Sequence, residues 1–135
     1  FVDSLSGNYA YMVMDNEAGM EHLSRRTTQN VDVLLIISNH SVKGVRTIAR
    51  IRKLVGELRL RVGKELVIVN LVPDKVDPLI AGELSRLGIK PAAFVPEDEL
   101  IYKYDLEVKP LVELPDSSVA VRAIDDLMVN VLSKN

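Results

Sequence analysis

Two stretches of this chain are apolar without alternation: residues 31–37 read VDVLLII and residues 65–72 read ELVIVNLV. A strand with one wet face alternates polar and apolar residues, whereas a strand covered on both faces runs apolar throughout. These runs therefore call for a parallel sheet with helices on its two faces. Residues 9–14 (YAYMVM) and 92–95 (AAFV) are shorter apolar runs and give four expected strands in all. The sequence holds four Tyr, two Phe and no Trp, so Val, Leu and Ile must fill the core. At 135 residues the chain is expected to form one domain.

Helical periods lie between the runs. After Ser41, the residues Ile48, Ile51, Val55, Leu58 and Val62 recur at steps of three and four, which is one stripe of an amphipathic helix. Asp77-Pro78 reads as an N-cap with proline in the first helical position, Ile80, Leu84 and Leu87 as one face, and Gly88 as the stop. Near the end Asp116, Ser117 and Ser118 offer caps, and Val121, Ile124, Met128, Val131 and Leu132 form a last stripe. Strands alternating with helices predict an α/β fold, a mostly parallel sheet flanked by helices.

Charge and composition exclude several function classes. A net charge of −2 gives no general attraction to nucleic acid or to an anionic membrane. There is no cysteine, which excludes disulfides and thiolate metal sites within these residues and suits a reducing, cytoplasmic setting. No apolar run reaches the roughly 18 residues of a membrane span, and no signal peptide is visible.

In open α/β sheets, ligands bind beyond the carboxyl ends of the strands. The first expected strand closes on Asp15, ahead of a glycine-containing turn. Such a carboxylate can hold magnesium directly or through water, or it can cap the next helix. The second closes on Ser38, Asn39, His40 and Ser41, which read best as helix caps. His40 and His22 are the two histidines, with no spacing that suggests metal ligation. The third closes on Asn70, whose amide offers two donors and an acceptor for a purine edge or can simply cap a turn. The fourth closes on Val95-Pro96-Glu97-Asp98, either a wall of a base pocket or a tight turn that starts a helix.

Between Lys43 and Lys64 stand eight basic residues and one acid, Glu57. Lys43, Arg46, Arg50 and Lys53 share one helical face, which reads as a solvated face or as a docking surface for an acidic partner. Residues 97–116 carry seven acids and two lysines, so the two regions can meet within or between chains. No G-x-x-x-x-G-K-[ST] loop occurs, so these residues contain no such cradle for phosphates.

Taken together, the residues resemble the MinD/nitrogenase-iron-protein class of P-loop ATPases. Asp15-Asn16-Glu17-Ala18-Gly19-Met20-Glu21 is similar to that class's D-x-x-A-G-x-E segment. The longer string DNEAGMEHLSRRT, with SVKGVRTIARIRKL, the VIVN strand and the FVPED turn, resembles the carbon monoxide dehydrogenase maturation ATPases, accessory proteins for nickel insertion. The resemblance covers nearly the whole chain. It implies that residues 1–135 form the C-terminal part of a single P-loop NTPase domain, with an incomplete MinD-like fold and the phosphate loop upstream of Phe1.

The resemblance also implies roles. Asp15 supports magnesium, and Glu17, Gly19 and Glu21 belong to the nucleotide-responsive switch. Asn70, Pro96, Glu97 and Asp98 surround adenine and ribose. ATP or ADP with magnesium is the implied cofactor, a nucleotide-dependent homodimer the implied assembly, and carbon monoxide dehydrogenase the implied client. The family's Cys-x-Cys nickel site has no counterpart in these residues. Two other readings are a MinD/ParA-like positioning or regulatory ATPase and a non-catalytic interaction domain that has lost the P-loop. This chain alone is expected neither to bind nor to hydrolyse ATP with useful affinity. Its first 30 residues are expected to be displaced or paired with another chain.

Overall fold

The computed structural model describes residues 9–16 and 30–132. Three strands, β1 (Asn30–Asn39), β2 (Arg61–Val72) and β3 (Ala93–Pro96), form a parallel sheet in that order. The helices are α1 (Val42–Glu57), α2 (Pro78–Arg86), α3 (Glu99–Leu106) and α4 (Val119–Leu132), with a 3-10 turn at Leu111–Glu113. This is the α/β architecture that the continuous apolar runs require.

The central strand shows why those runs do not alternate. Val67 and Val69 enter one core cluster with Ile36, Val45, Ile48, Ile80 and Leu84, under α1 and α2. Ile68, between them, enters a second cluster with Val95, Ala120 and Leu127, under α4. All three β2 residues are at most 2% exposed. Burial of each contributes about 1.5–3 kcal/mol.

The helix ends follow from local chemistry. Ser41 Oγ accepts from Gly44 N at 3.0 Å and starts α1. Asp77 Oδ1 accepts from Leu79 N at 2.7 Å, with Pro78 in the first turn, and starts α2 as the sequence predicts. α2 ends on Gly88 at φ 62°, closed by Gly88 N donating to Ser85 O and Ile89 N to Leu84 O. This paired closure is a Schellman motif, which places its C′ residue in the left-handed region. α1 and α3 end in the same way, but on Arg59 and Val108, each at φ 54°.

Three sequence expectations are corrected. The stripe drawn through Leu58 and Val62 overruns its helix. α1 ends at Glu57, the left-handed turn at Arg59 reverses the chain, and Val62 belongs to β2. In α4 the buried face is Ala120 and Leu127 with Ala123 and Val131 beside them, while Ile124, Met128 and Leu132 are exposed. Ser118, just before α4, is fully buried, and Ala120 and Ala123 lie on the face that packs against the sheet. Finally, residues 9–14 form no strand. Tyr9, Tyr11 and Val13 are exposed, and β2 is the only strand beside β1 among the described residues.

Candidate functional site

The carboxyl ends of β1, β2 and β3 lie side by side, and each carries polar residues. Asn39 is in register with Asn70, and His40 N donates to Asn70 O at 2.9 Å. Pairing of β2 with β3 is regular at Val69↔Phe94 and resumes at Val72↔Pro96, with a register shift between. Asn70 and Leu71 occupy that irregularity, and Leu71 takes φ 56°. A bulge at a strand end re-aims a side chain away from the ladder. The Asn70 side chain is half-buried and makes no hydrogen bond among the described residues. Its donors and acceptor are thus available to a ligand with a polar edge.

The turn after β3 is fixed to this edge. Glu97 N donates to Val72 O at 2.8 Å, which holds the residue after Pro96 against the end of β2. Asp98 then caps two helices at once. Its Oδ1 accepts from Leu100 N at 2.8 Å and caps α3. Its Oδ2 accepts from Ser118 Oγ at 2.5 Å and from Ala120 N at 3.2 Å, at the start of α4. The Ser118 hydroxyl, with the backbone N–H groups of Leu100, Ala120 and Val119, holds the carboxyl below the usual aspartate range. Asp98 therefore positions the turn that holds Pro96 and Glu97.

At the ends of β1 and β2 the chain also forms an open groove of about 470 Å³ lined by His40, Val42, Pro73, Lys75, Pro78 and Leu79, among others. His40 Nε2 accepts from Asp77 N at 3.1 Å and ties the end of β1 to the start of α2. Asn70, Pro96 and Glu97 do not line this groove. The sequence reading took His40 as part of a capping segment and did not anticipate the groove. Its visible signal is the pair of prolines, Pro73 and Pro78, that stiffens the β2–α2 connection.

Asp15 is described and lies in a segment without strand structure. The expectation that Asp15 closes a strand is thus corrected. Glu17, Gly19, Glu21 and His22 lie outside the described residues. Among the described residues no three His, Asp or Glu side chains converge as metal ligands. No described helix is long and apolar enough to cross a membrane.

The basic face of α1 is largely a solvated one. Arg46 Nε pairs with Glu83 at 2.7 Å, linking α1 to α2, and Lys53 pairs with Glu57 at 3.7 Å. Arg86 joins Glu83 from the other side, at 2.7 Å.

No protein-family model matches the chain. It is 36% identical over 133 residues to an uncharacterized ATP-binding protein of Methanocaldococcus jannaschii, covering 98% of this chain and 53% of that relative. A second uncharacterized ATP-binding protein of the same organism is 35% identical over 102 residues, covering 74% of this chain and 38% of its own length. The chain thus spans about half or less of these curated relatives. Among solved structures, the MinD cell division protein of Aquifex aeolicus superposes with a TM-score of 0.74 at 24% identity, over 99% of this chain and 58% of that one. The described fold is accordingly that of a fragment of MinD.

Proposed function

We propose that this chain is the base-recognising portion of an adenine-nucleotide-binding P-loop ATPase of the MinD-like class. The observation that carries the reading is the open Asn70 amide, set in a strand-end bulge beside the Pro96–Glu97 turn that Asp98 pins. An asparagine amide pairs with the donor and acceptor of an adenine edge, and a proline-stiffened turn can wall the base. Two relatives named as ATP-binding support the ligand class. The MinD-like fold supports the architecture.

When bound, magnesium nucleotide supplies a phosphoanhydride whose cleavage can drive a conformational cycle. Asn70 and the 96–97 turn orient the base. Asp15, Glu17, Gly19 and Glu21 keep the roles assigned to them by resemblance, in magnesium support and the phosphate-sensing switch. In the whole protein ATP favours a closed homodimer and hydrolysis releases it. Maturation of a metalloenzyme is the proposed use of this cycle, with carbon monoxide dehydrogenase as client and nickel as cargo. That step rests on the DNEAGMEHLSRRT string. A MinD-like positioning or regulatory ATPase is the alternative that the structural likeness favours.

The test is titration of the 135-residue chain with magnesium-ATP and with adenosine, followed by amide chemical shifts. Weak millimolar binding is expected, with shifts confined to Asn70, Leu71 and Glu97 and no turnover. Asn70→Ala should weaken it about five- to a hundredfold, as for loss of a buried polar pairing. Unchanged affinity in that variant refutes the base contact. Micromolar binding with turnover refutes the claim that these residues hold only the base side.

A further inference from the structure

Beyond the sheet edge, the segment from α3 to α4 displays a surface that nucleotide binding does not use. α3 buries none of its residues. Tyr102 and Leu106, one helical turn apart, face solvent, and Val108, Leu111 and Val112 follow, with Val108 and Val112 at least 90% exposed. Single exposed apolar residues are ordinary, but five within eleven positions are not scatter.

The backbone holds this display in place at a cost. Val108 sits in the left-handed C′ position of the α3 Schellman closure, with Val108 N donating to Asp105 O and Lys109 N to Tyr104 O. Left-handed backbone costs an L-residue about 1–2 kcal/mol, and a β-branched side chain is among the least suited to it. Glycine fills the same position after α2. Asp98 caps the front of α3, and Tyr104 Oη donates to Glu113 O at 3.2 Å, folding the 3-10 turn back onto the helix. The surface is therefore ordered before any partner arrives.

Its rim is acidic. Of the two lysines in residues 97–116, Lys109 is taken by Glu107 at 2.5 Å and lies 5.5 Å above the Tyr104 ring, and Lys103 is exposed on α3 and also acts on Glu107, leaving three further acids around the surface. Glu99, Asp105 and Glu113 make no ion pair among the described residues. The basic face of α1 cannot neutralise them in the same molecule. α1 packs into the cluster on one face of the sheet, whereas α3 contributes Ile101 to the cluster on the other.

From this geometry we infer that the acid-rimmed apolar surface of α3 and the 3-10 turn docks a cationic amphipathic segment of a partner protein. Charge complementarity selects that occupant. The rim repels nucleic acid and anionic lipid, and the apolar centre needs leucine-like side chains as well as lysine or arginine. The inference is independent of the nucleotide reading, because no proposed base contact lies within it.

The probe is a labelled Leu/Lys amphipathic peptide of about 14 residues, titrated against the full 135-residue chain by anisotropy and amide shifts. An Ala/Lys peptide of equal charge and a Leu/Glu peptide serve as controls. Saturable micromolar binding of the Leu/Lys peptide alone is expected, with shifts clustered at residues 102–113. Leu106→Ser and Val112→Ser should each weaken it about tenfold. Val108→Gly should raise the unfolding midpoint yet lower peptide affinity, which separates display from folding. Equal binding of the Ala/Lys peptide, or unchanged affinity in Val112→Ser, overturns the proposal. So does sedimentation that shows self-association abolished by Leu106→Ser, which would assign the surface to a second copy.

Discussion

Gly44→Ala is the substitution for which the structure makes the least intuitive forecast. Gly44 lies in the first turn of α1, where alanine ordinarily stabilises a helix by about 0.5–1 kcal/mol. Here an added Cβ would collide with Ser38 Oγ and stand 2.6 Å from Asn39 O and 3.0 Å from Ser41 Oγ. The Ser38 hydroxyl can rotate away. Asn39 O is backbone, in the last residue of β1, and Ser41 Oγ is held by its bond from Gly44 N. To reach ordinary contact with Asn39 O, the start of α1 must retreat by some 0.8 Å, which loosens the cap and the Val45 and Ile48 packing below it. Overpacking of this kind costs about 1–3 kcal/mol and a damaged cap about 1 more, against the helix gain. The net expectation is a loss of about 1–3 kcal/mol. Gly56 and Gly82 are internal controls, since nothing lies within 4 Å of a Cβ added at either. Urea unfolding followed by far-ultraviolet circular dichroism reads all three variants. If Gly44→Ala proves as stable as Gly82→Ala, the close approach of α1 to the β1 turn is refuted.

Two further outcomes follow from single carboxylates. Asp98→Ala removes a cap from both α3 and α4 and leaves the buried Ser118 hydroxyl without its acceptor, so a loss of about 2–3 kcal/mol is expected; hydrogen exchange should rise across residues 99–132 first, and a change below about 0.5 kcal/mol in urea unfolding would remove Asp98 from its double role. Arg86 and Arg46 lower the Glu83 carboxyl from 4.5 to about 2, so its contribution is present above the unfolded value and is lost as pH falls from 4.5 towards 2. Glu83→Gln should flatten the fall of the urea midpoint in that window at low salt, and identical acid profiles would show that the Arg46–Glu83–Arg86 cluster is too screened to matter.

The sequence carried the fold wherever one rule governed a segment. Unbroken apolar runs located β1, β2 and β3, because a strand covered on both faces has no polar side to show. Asp77, Pro78 and Gly88 marked α2, because each acts within its own turn. The reading failed where a long-range partner decided. Asp98 was legible as a pocket wall or as the start of a helix, but not as the cap of a second helix, because its second oxygen binds Ser118, twenty residues later. Arg59 and Val108 end helices where the pattern expects glycine, so α1 seemed longer than it is. In α4 the larger apolar side chains suggested the wrong face, because Ala120 and Ala123 give closer packing than Ile124 or Met128. For the site, Asn70 was legible as a polar residue closing an apolar strand. The bulge in which it sits was not, because it depends on β3 pairing out of step.

That bulge also joins the two halves of the proposed base site. Leu71 is held at φ 56°, a conformation that persists in a non-glycine residue only when its surroundings over-determine it. The constraint is visible on both sides. His40 N fixes Asn70 O from β1, while Glu97 N fixes Val72 O from the β3 turn. His40 and Glu97 are thus bonded to the two ends of one three-residue segment, Asn70 to Val72, with Leu71 at its centre. The next residue, Asp98, holds the first turns of both α3 and α4 through its carboxylate. The turn that borders the proposed base site is thus the same turn that caps α3, the helix that carries part of the exposed acid-rimmed surface. Neither site needs the other in order to form.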